Sequence, residues 1–258
     1  MMTHNELTKR IQENLEQVRA RIGAAARSCG RDPAGIRLLA VSKTHPVDAV
    51  LAGMAAGQTC FGESYAQELV AKHDHFAPEN GPEFHFIGGL QRNKVKVVVG
   101  RAGLIHSVDR LQLLQEIDRR AGLRGLVQRI LLEVNVGGET SKSGCAPEDL
   151  TGLLDAARTL QHVALCGLMT IPPFDLDAEE VRPHFTALRG LQDEIKERLS
   201  PEEAATFREL SMGMSHDLEV AVEEGATLVR VGTAIFGSRG SPPVKDPTSQ
   251  DRLTFDPA

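Results

Sequence analysis

Eight short apolar runs divide this 258-residue sequence, and amphipathic or alanine-rich stretches separate most of them. The runs lie near residues 36–42, 58–61, 84–87, 104–107, 129–136, 163–169, 208–211 and 227–231. Continuous apolar runs are typical of strands covered on both faces, and strand–helix alternation indicates a parallel sheet. Eight such units in about 240 residues suit a closed barrel better than an open doubly wound sheet. We therefore predict an α/β protein built on a single-domain (β/α)8 TIM-type barrel.

The two ends of the chain differ from this pattern. Before the first strand, apolar residues recur every three or four positions, which predicts an amphipathic helix. These residues are Leu7, Ile11, Leu15, Val18 and Ile22. After about residue 239 the sequence is rich in proline and polar residues, which is typical of a loose segment. We therefore predict a barrel domain with an N-terminal helix over residues 1–238, followed by a flexible tail over 239–258.

Composition narrows the class of protein. Hydrophobic residues make up 41% and charged residues 25% of the chain, and the net charge is −6, so the bulk field does not favour binding to nucleic acid. No 18-residue apolar run is present, and the polar N-terminus does not resemble a signal peptide. Four scattered cysteines without a CxxC pair predict reduced thiols, and nine histidines show no metal-binding spacing. We expect a cytoplasmic protein that binds neither membrane nor metal.

Lys43 is the first candidate for chemistry, because active sites of such barrels lie where strands end. This lysine directly follows the apolar run 36–42. Partial burial favours the neutral amine, which is the form that attacks an aldehyde or ketone to give a Schiff base. The alternative is a lysine that bends out into solvent at the strand end.

The ends of the seventh and eighth strands together predict a phosphate site. Ser211 and Ser215 precede a short helix, whose free amides suit a phosphate, although a serine there can also be a helix N-cap. Gly232 permits close approach of the backbone, and Thr233 adds a hydroxyl. Phosphate sites in barrels often use the loops after strands seven and eight.

Arg230 and Lys142 are two further cationic residues that are candidates for the functional site. Arg230 alternates with apolar residues in the eighth strand, so its side chain can point into the barrel or pair with a strand carboxylate. Lys142 lies in the loop after the fifth strand and is either a second amine or a solvated lysine. The basic residues of the polar turn 88–94 are expected to face water. Less decisive polar residues at strand ends are Glu63, Ser64, His85 and Asn135.

Several sequence motifs, taken together, resemble a known family. They are LAVSKT at 39–44, FGE at 61–63, HFIG at 85–88, LQRNK at 90–94, GLMTIP at 167–172, LSMGMS at 210–215 and VRVGTAIFG at 229–237. In this order they are similar to the successive signatures of the YggS/PROSC (PLPBP) family of pyridoxal phosphate homeostasis proteins. One departure is Ser64, which stands where the family usually has asparagine. If that position contacts the cofactor, a serine would reach less far and bind more weakly or through water.

The resemblance implies a barrel like the N-terminal domain of alanine racemase, holding pyridoxal 5′-phosphate (PLP) in the manner of fold type III. Lys43 would carry the Schiff base, Arg230 would face the pyridine nitrogen, and Lys142 would match a family lysine that accepts PLP secondarily. The residues that would hold the phosphate are Ser211, Gly232 and Thr233, with Ser215 assisting.

Family members are regarded as PLP carriers that influence vitamin B6 balance, without established turnover. Two features of the sequence agree with that reading. An arginine cannot take a proton from the pyridine nitrogen, and a neutral ring is a weak electron sink. The sequence is also not expected to form the second domain that supplies a tyrosine base in related racemases, and its single tyrosine is Tyr65. We expect a monomeric PLP carrier whose acceptors are PLP-dependent apoenzymes.

Two enzymatic alternatives remain open. A racemase-like enzyme of low activity would use the same PLP site. A Schiff-base aldolase acting on a sugar phosphate would use the same lysine and phosphate groups. Such aldolases usually carry their lysine on a later strand, and they have no need of an arginine at a ring nitrogen.

Overall fold

A closed barrel of eight parallel strands forms the centre of the protein, as a computed structural model describes it for residues 4–77, 79–139, 143–173 and 176–237. Each strand pairs with the next in the sequence, and the eighth pairs with the first. The strands are β1 Arg37–Val41, β2 Cys60–Glu63, β3 Glu83–Phe86, β4 Leu104–Val108, β5 Gln128–Glu133, β6 Val163–Met169, β7 Glu209–Ser211 and β8 Leu228–Val231. The predicted barrel and its eight strands are confirmed. The predicted tail at 239–258 lies outside the described residues.

Helices surround the barrel and connect its strands. They are α1 His4–Ser28, α2 Val47–Ala55, α3 Ala66–His73, α4 Val95–Val98, α5 Leu111–Gly122, α6 Leu150–Thr159, α7 Ala178–Arg198, α8 Pro201–Thr206, α9 Leu218–Glu223 and α10 Thr233–Phe236. The amphipathic or alanine-rich stretches of the sequence predict most of these helices, whereas α4 and α10, with four residues each, are too short for a pattern to reveal. Within the described ranges, none of these helices combines the length and apolarity that a membrane span requires.

Side-chain alternation divides each strand between two environments. Outward residues such as Ala40, Ile105 and Val229 join the large core between strands and helices. Their neighbours Leu39 and Leu104 belong to smaller apolar clusters, as expected for side chains on the inner face of the barrel. Alternation therefore assigns each residue of a strand either to the helix layer or to the barrel interior.

The long helix α1 supports the strand ends that follow β7 and β8. It packs against α2, α9 and α10, and α10 is the short helix that follows β8. The Asn14 amide donates a hydrogen bond to the Ile235 carbonyl at 2.8 Å. Arg21 donates to the Ser215 carbonyl at 3.1 Å and forms an ion pair with Glu219 at 2.6 Å. The N-terminal helix thus holds two loops at the carboxyl end of the barrel.

Candidate functional site

Two neighbouring cavities open at the carboxyl ends of the strands. The smaller, of about 480 Å³, is lined by five of the residues that were predicted to bind PLP: Lys43, Ser215, Arg230, Gly232 and Thr233. The larger, of about 670 Å³, shares Lys43 and Ser64 with it. The fold therefore gathers residues from the ends of β1, β7 and β8 around one space, with Lys43 between the two cavities.

The backbone around Lys43 is held by buried charged residues from β2 and α3. The Ser42 hydroxyl donates to Glu63 at 2.6 Å, and the Lys72 ammonium donates to the Ser42 carbonyl at 2.7 Å and to Glu63 at 2.6 Å. Glu63 is fully buried, and burial raises the pKa of its carboxyl to about 7 despite the opposing effect of Lys72. Sequence analysis did not identify Lys72, because a lysine in the last turn of a helix is typical of a solvated residue.

A second contact fixes the other side of the same turn. Thr44 has a left-handed backbone, with φ of 65°. Its amide donates to the Glu68 carboxylate at 2.7 Å, and Lys72 lies 3.3 Å from that carboxylate. Left-handed backbone is unfavourable for a residue with a Cβ, so the surrounding contacts must stabilise it. The network of Glu63, Glu68 and Lys72 therefore sets where Lys43 leaves the strand.

Ser215, Gly232 and Thr233 form a small polar cradle on the β7–β8 side of the smaller cavity. The Thr233 hydroxyl donates to the Ser215 hydroxyl at 3.1 Å. A Cβ at Gly232 would lie 3.3 Å from the Val41 carbonyl oxygen, so a larger residue would crowd the end of β1. The buried Asp217 carboxylate accepts a hydrogen bond from the Met214 amide and thereby closes the turn that presents Ser215.

Arg230 points into the barrel from β8, below this cradle. Its guanidinium donates to the Ser211 hydroxyl at 2.7 Å and to the Thr170 carbonyl at 2.9 Å. Burial lowers the pKa of Arg230 to about 10, and the carboxylates of Asp217 and Glu133 oppose this shift. The side chain therefore remains protonated at neutral pH and can only donate hydrogen bonds.

Ser211 has a different position from the other residues that were predicted to hold the phosphate. Its side chain is fully buried and does not line the cavity, because the last residue of β7 points inward beside Arg230. Its hydroxyl accepts from Arg230 and lies 2.9 Å from His106 Nδ1. The structure therefore places Ser211 as a support of Arg230, whereas Ser215, in the loop that follows, reaches the cavity.

Other polar residues at strand ends have separate positions. Ser64 lines both cavities, whereas Glu63 belongs to the network beneath Lys43. His85 lies buried inside the barrel, and the Asn135 amide donates to the Glu139 carbonyl within its own loop. Lys142 lies outside the described residues.

The larger cavity contains residues that sequence analysis did not assign to a site. Lys94, in the turn whose basic residues were expected to face water, is partly buried and lines this solvent-open cavity. Glu133 at the end of β5 also lines the cavity and is buried. The only sequence signal for Glu133 was a carboxylate directly after the apolar residues 130–132.

Glu133 predicts a pH dependence of stability. Burial raises the pKa of its carboxyl to about 7, and Asp109 nearby acts in the same direction. The folded protein binds this proton more tightly than the unfolded chain does, so the proton on Glu133 stabilises the fold. This contribution to the free energy of unfolding is lost as pH rises through 7. Between pH 6 and pH 8, this carboxyl should lower the free energy of unfolding by about 1 kcal/mol.

Urea unfolding of wild type and Glu133→Gln at the two pH values measures this effect. We expect the variant to lose that part of the pH dependence, whereas the exposed control Glu148→Gln should retain it. If wild type and Glu133→Gln lost the same free energy of unfolding between pH 6 and pH 8, the raised pKa assigned to Glu133 would be contradicted.

Comparison with known proteins places the chain in a family. The family model "Alanine racemase, N-terminal domain" matches residues 8–240. The pyridoxal phosphate homeostasis protein of Pseudomonas aeruginosa is 47% identical over 235 residues, covering 89% of this chain and 96% of that protein.

Solved structures agree with this match. The structure of PipY from Synechococcus elongatus with PLP bound has a TM-score of 0.76 and 36% identity, covering 88% of this chain and 100% of that one. An alanine racemase from Streptomyces coelicolor, 21% identical with a TM-score of 0.64, shares the fold over 86% of this chain and 58% of its own. Since both a family model and a close relative cover nearly the whole sequence, the chain belongs to the family of the pyridoxal phosphate homeostasis proteins.

Proposed function

We propose that this protein binds PLP in the smaller cavity and serves PLP homeostasis as a carrier. The observation that carries the proposal is that one cavity joins an amine, a buried protonated guanidinium and a cradle of two hydroxyls with a glycine. When bound, PLP supplies an aldehyde that combines with an amine. Lys43 would provide that amine, and Arg230 would donate to the pyridine nitrogen. The PLP complex of PipY, a relative of 36% identity, supports this assignment.

The cradle suits the phosphate end of the cofactor. Ser215 and Thr233 offer hydroxyl donors 3.1 Å apart, and Gly232 has no side chain to block approach to its backbone. The volume of about 480 Å³ lies within the range of small-molecule sites. The chain thus offers polar groups of the right kind for both ends of the molecule.

The phosphate assignment can be tested by comparing PLP with pyridoxal, which lacks the phosphate. We expect Ser215→Ala and Thr233→Val each to raise the dissociation constant for PLP about fivefold to tenfold, since each removes a hydrogen bond to a charged group. Affinity for pyridoxal should change less than about twofold. The control Ser143→Ala, in the other cavity only, should leave both affinities unchanged. Equal losses for PLP and pyridoxal would place the phosphate elsewhere.

Arg230 fits both a carrier and a racemase of this fold, so it does not decide between them. It remains protonated and would donate to the ring nitrogen, leaving the pyridine neutral, which weakens carbanion chemistry. Tyr65, the single tyrosine of the chain, is 53% exposed and lines the larger cavity, where solvent competes with it as a base.

The racemase-like alternative makes a distinct prediction. The carrier proposal expects solvent deuterium to stay out of the α-position when an amino acid is incubated with the PLP-loaded protein. Proton NMR of the recovered amino acid measures this exchange, with a PLP-dependent racemase as the positive control. Exchange in wild type that disappears in Lys43→Ala would replace the carrier by an enzyme of low activity.

Delivery to other proteins forms the final part of the proposal. The larger cavity borders Lys43 and is open to solvent, so an amine of an acceptor can reach the cofactor from that side. We propose that the acceptors are PLP-dependent apoenzymes, that Lys142 is a secondary PLP site, and that the protein acts as a cytoplasmic monomer.

A further inference from the structure

A continuous row of buried polar side chains runs through the inside of the barrel, away from the proposed cofactor site. It begins at Arg230, whose guanidinium lies 2.7 Å from the Ser211 hydroxyl. Ser211 Oγ lies 2.9 Å from His106 Nδ1, and His106 Nε2 lies 3.0 Å from His85 Nδ1. His85 Nε2 lies 3.1 Å from the Glu83 carboxylate, at the start of β3. Both histidines are fully buried.

Arg230 at one end of the row can only donate hydrogen bonds, and the Glu83 carboxylate at the other end can only accept them. These two ends determine which partner donates in each contact between them. Arg230 can only donate, so Ser211 accepts from it and keeps its own proton for His106 Nδ1. His106 then carries its proton on Nε2 and donates to His85 Nδ1. His85 in turn carries its proton on Nε2, facing the carboxylate of Glu83.

The opposite direction would leave two groups without suitable partners. It would place the lone pair of His85 Nε2 against a carboxylate, which accepts but does not donate. It would also leave the buried hydroxyl proton of Ser211 with no acceptor, because the described residues offer it no other hydrogen-bond partner than Arg230 and His106. Burial lowers the pKa of both histidines, so each holds one proton and one lone pair.

The far end of the row is anchored by charge. The close contact with His85, at 3.1 Å, is the main cause that lowers the pKa of Glu83 to about 2, so Glu83 remains a carboxylate. Arg129 lies 3.4 Å and Arg37 lies 3.9 Å from the same carboxylate. An anion at this position favours the direction in which every proton points toward it.

A metal ion is the competing explanation for the same residues. Ligand atoms of Cys60, Glu83 and His85 lie within 4.8 Å of one another. Burial raises the pKa of the Cys60 thiol to about 12, and two arginines already neutralise Glu83. A cation would therefore have to displace the thiol proton and compete with both arginines for Glu83.

We propose that His106, His85 and Glu83 are positioning residues for Arg230. His106 accepts a hydrogen bond from the Ser211 hydroxyl, and His85 and Glu83 keep His106 in the tautomer that can accept it, so that the serine oxygen holds the guanidinium in one orientation. This part of the barrel, opposite the cofactor site, thereby decides how the arginine presents its donors. The effect on PLP rests on the proposed function, whereas the tautomers of the two histidines do not.

Nitrogen-15 NMR of the full-length protein without PLP tests the tautomers. Signals are assigned with His85→Gln and His106→Asn, because the chain contains nine histidines. We expect both rings to be neutral, protonated at Nε2 and unprotonated at Nδ1. A proton on Nδ1 of either ring would overturn the proposal. So would stoichiometric zinc that shifts His85 Nε2, since the metal reading requires a free lone pair there.

Two substitutions at His106 test the link to Arg230. Asparagine can still accept from Ser211 at the position of Nδ1, whereas leucine cannot. We expect His106→Leu to raise the dissociation constants for PLP and for pyridoxal by the same factor of about tenfold, because the ring contact is common to both. His106→Asn should raise them about twofold and retain the wild-type absorbance spectrum.

The remaining outcomes separate this inference from the proposed function. Wild-type affinity and spectrum in a folded His106→Leu would overturn the positioning role, as would equal losses in both variants. If wild type itself bound no PLP, the proposed function would fail, while the NMR result would still test the row of hydrogen bonds by itself.

Discussion

Lys43→Ala is expected to lower the affinity for PLP by roughly 100-fold, because the covalent hold on the cofactor disappears. Borohydride reduction followed by peptide mass spectrometry should find a phosphopyridoxyl group on Lys43 in wild type and none at that position in the variant. Absorbance spectra before and after reduction measure the same loss in solution. The phosphate cradle and Arg230 remain in the variant, so weak non-covalent binding should persist.

Lys94→Ala is the matched control for this substitution. Both lysines line the larger cavity, but only Lys43 also lines the smaller one with the cradle. We therefore expect Lys94→Ala to retain the adduct and an affinity within about twofold of wild type. A minor adduct in Lys43→Ala that disappears in Lys43→Ala/Lys142→Ala would mark Lys142 as the secondary site. An unchanged spectrum in Lys43→Ala would refute the assignment of the amine.

Gly167→Ala is expected to destabilise the barrel by about 3–5 kcal/mol, enough to abolish folding of many single domains. Gly167 lies in β6 opposite Glu209 of β7, with φ of 151°. A Cβ at this position would lie 1.9 Å from the Glu209 carbonyl oxygen and 2.7 Å from its carbonyl carbon. Because both obstacles are backbone atoms of a paired strand, relief requires separating β6 from β7, next to Ser211.

Gly190→Ala provides the opposite control. Gly190 lies within helix α7, and no atom lies within 4 Å of the position of an added Cβ. Alanine is the better helix former, so this variant should gain about 0.5–1 kcal/mol. Urea unfolding of the three proteins measures both effects. A Gly167→Ala protein as stable as wild type would show that this strand pair tolerates a side chain.

The contrast between Ser211 and Ser215 shows where sequence-based prediction stops. Both serines stand in one motif after the same apolar run, and the resemblance assigned both to the phosphate. Ser211 ends β7 and points into the barrel, whereas Ser215, four positions later, lies in the loop that reaches the cavity. Motif spacing does not report this direction at a strand end, because regular alternation ceases where the loop begins.

The charged network under Lys43 was also invisible in the sequence. Glu63 was noticed as a polar strand end, but Glu68 and Lys72 read as solvent-facing residues of a helix. Only the packing of α3 against the barrel buries Lys72 and brings its ammonium to the Ser42 carbonyl. Burial of this kind depends on contacts between elements rather than on local periodicity.

By itself, the sequence determined the barrel and its eight strands. It also determined that Lys43 follows the carboxyl end of β1 and that Gly232 and Thr233 follow that of β8. These follow from apolar periodicity and from the rule that the carboxyl ends of parallel strands meet at one rim. Tertiary structure alone decided the place of α1 and the row of histidines inside the barrel. Contacts such as Arg21 to Ser215, which are 194 residues apart, depend on how distant elements pack, and no local pattern encodes that distance.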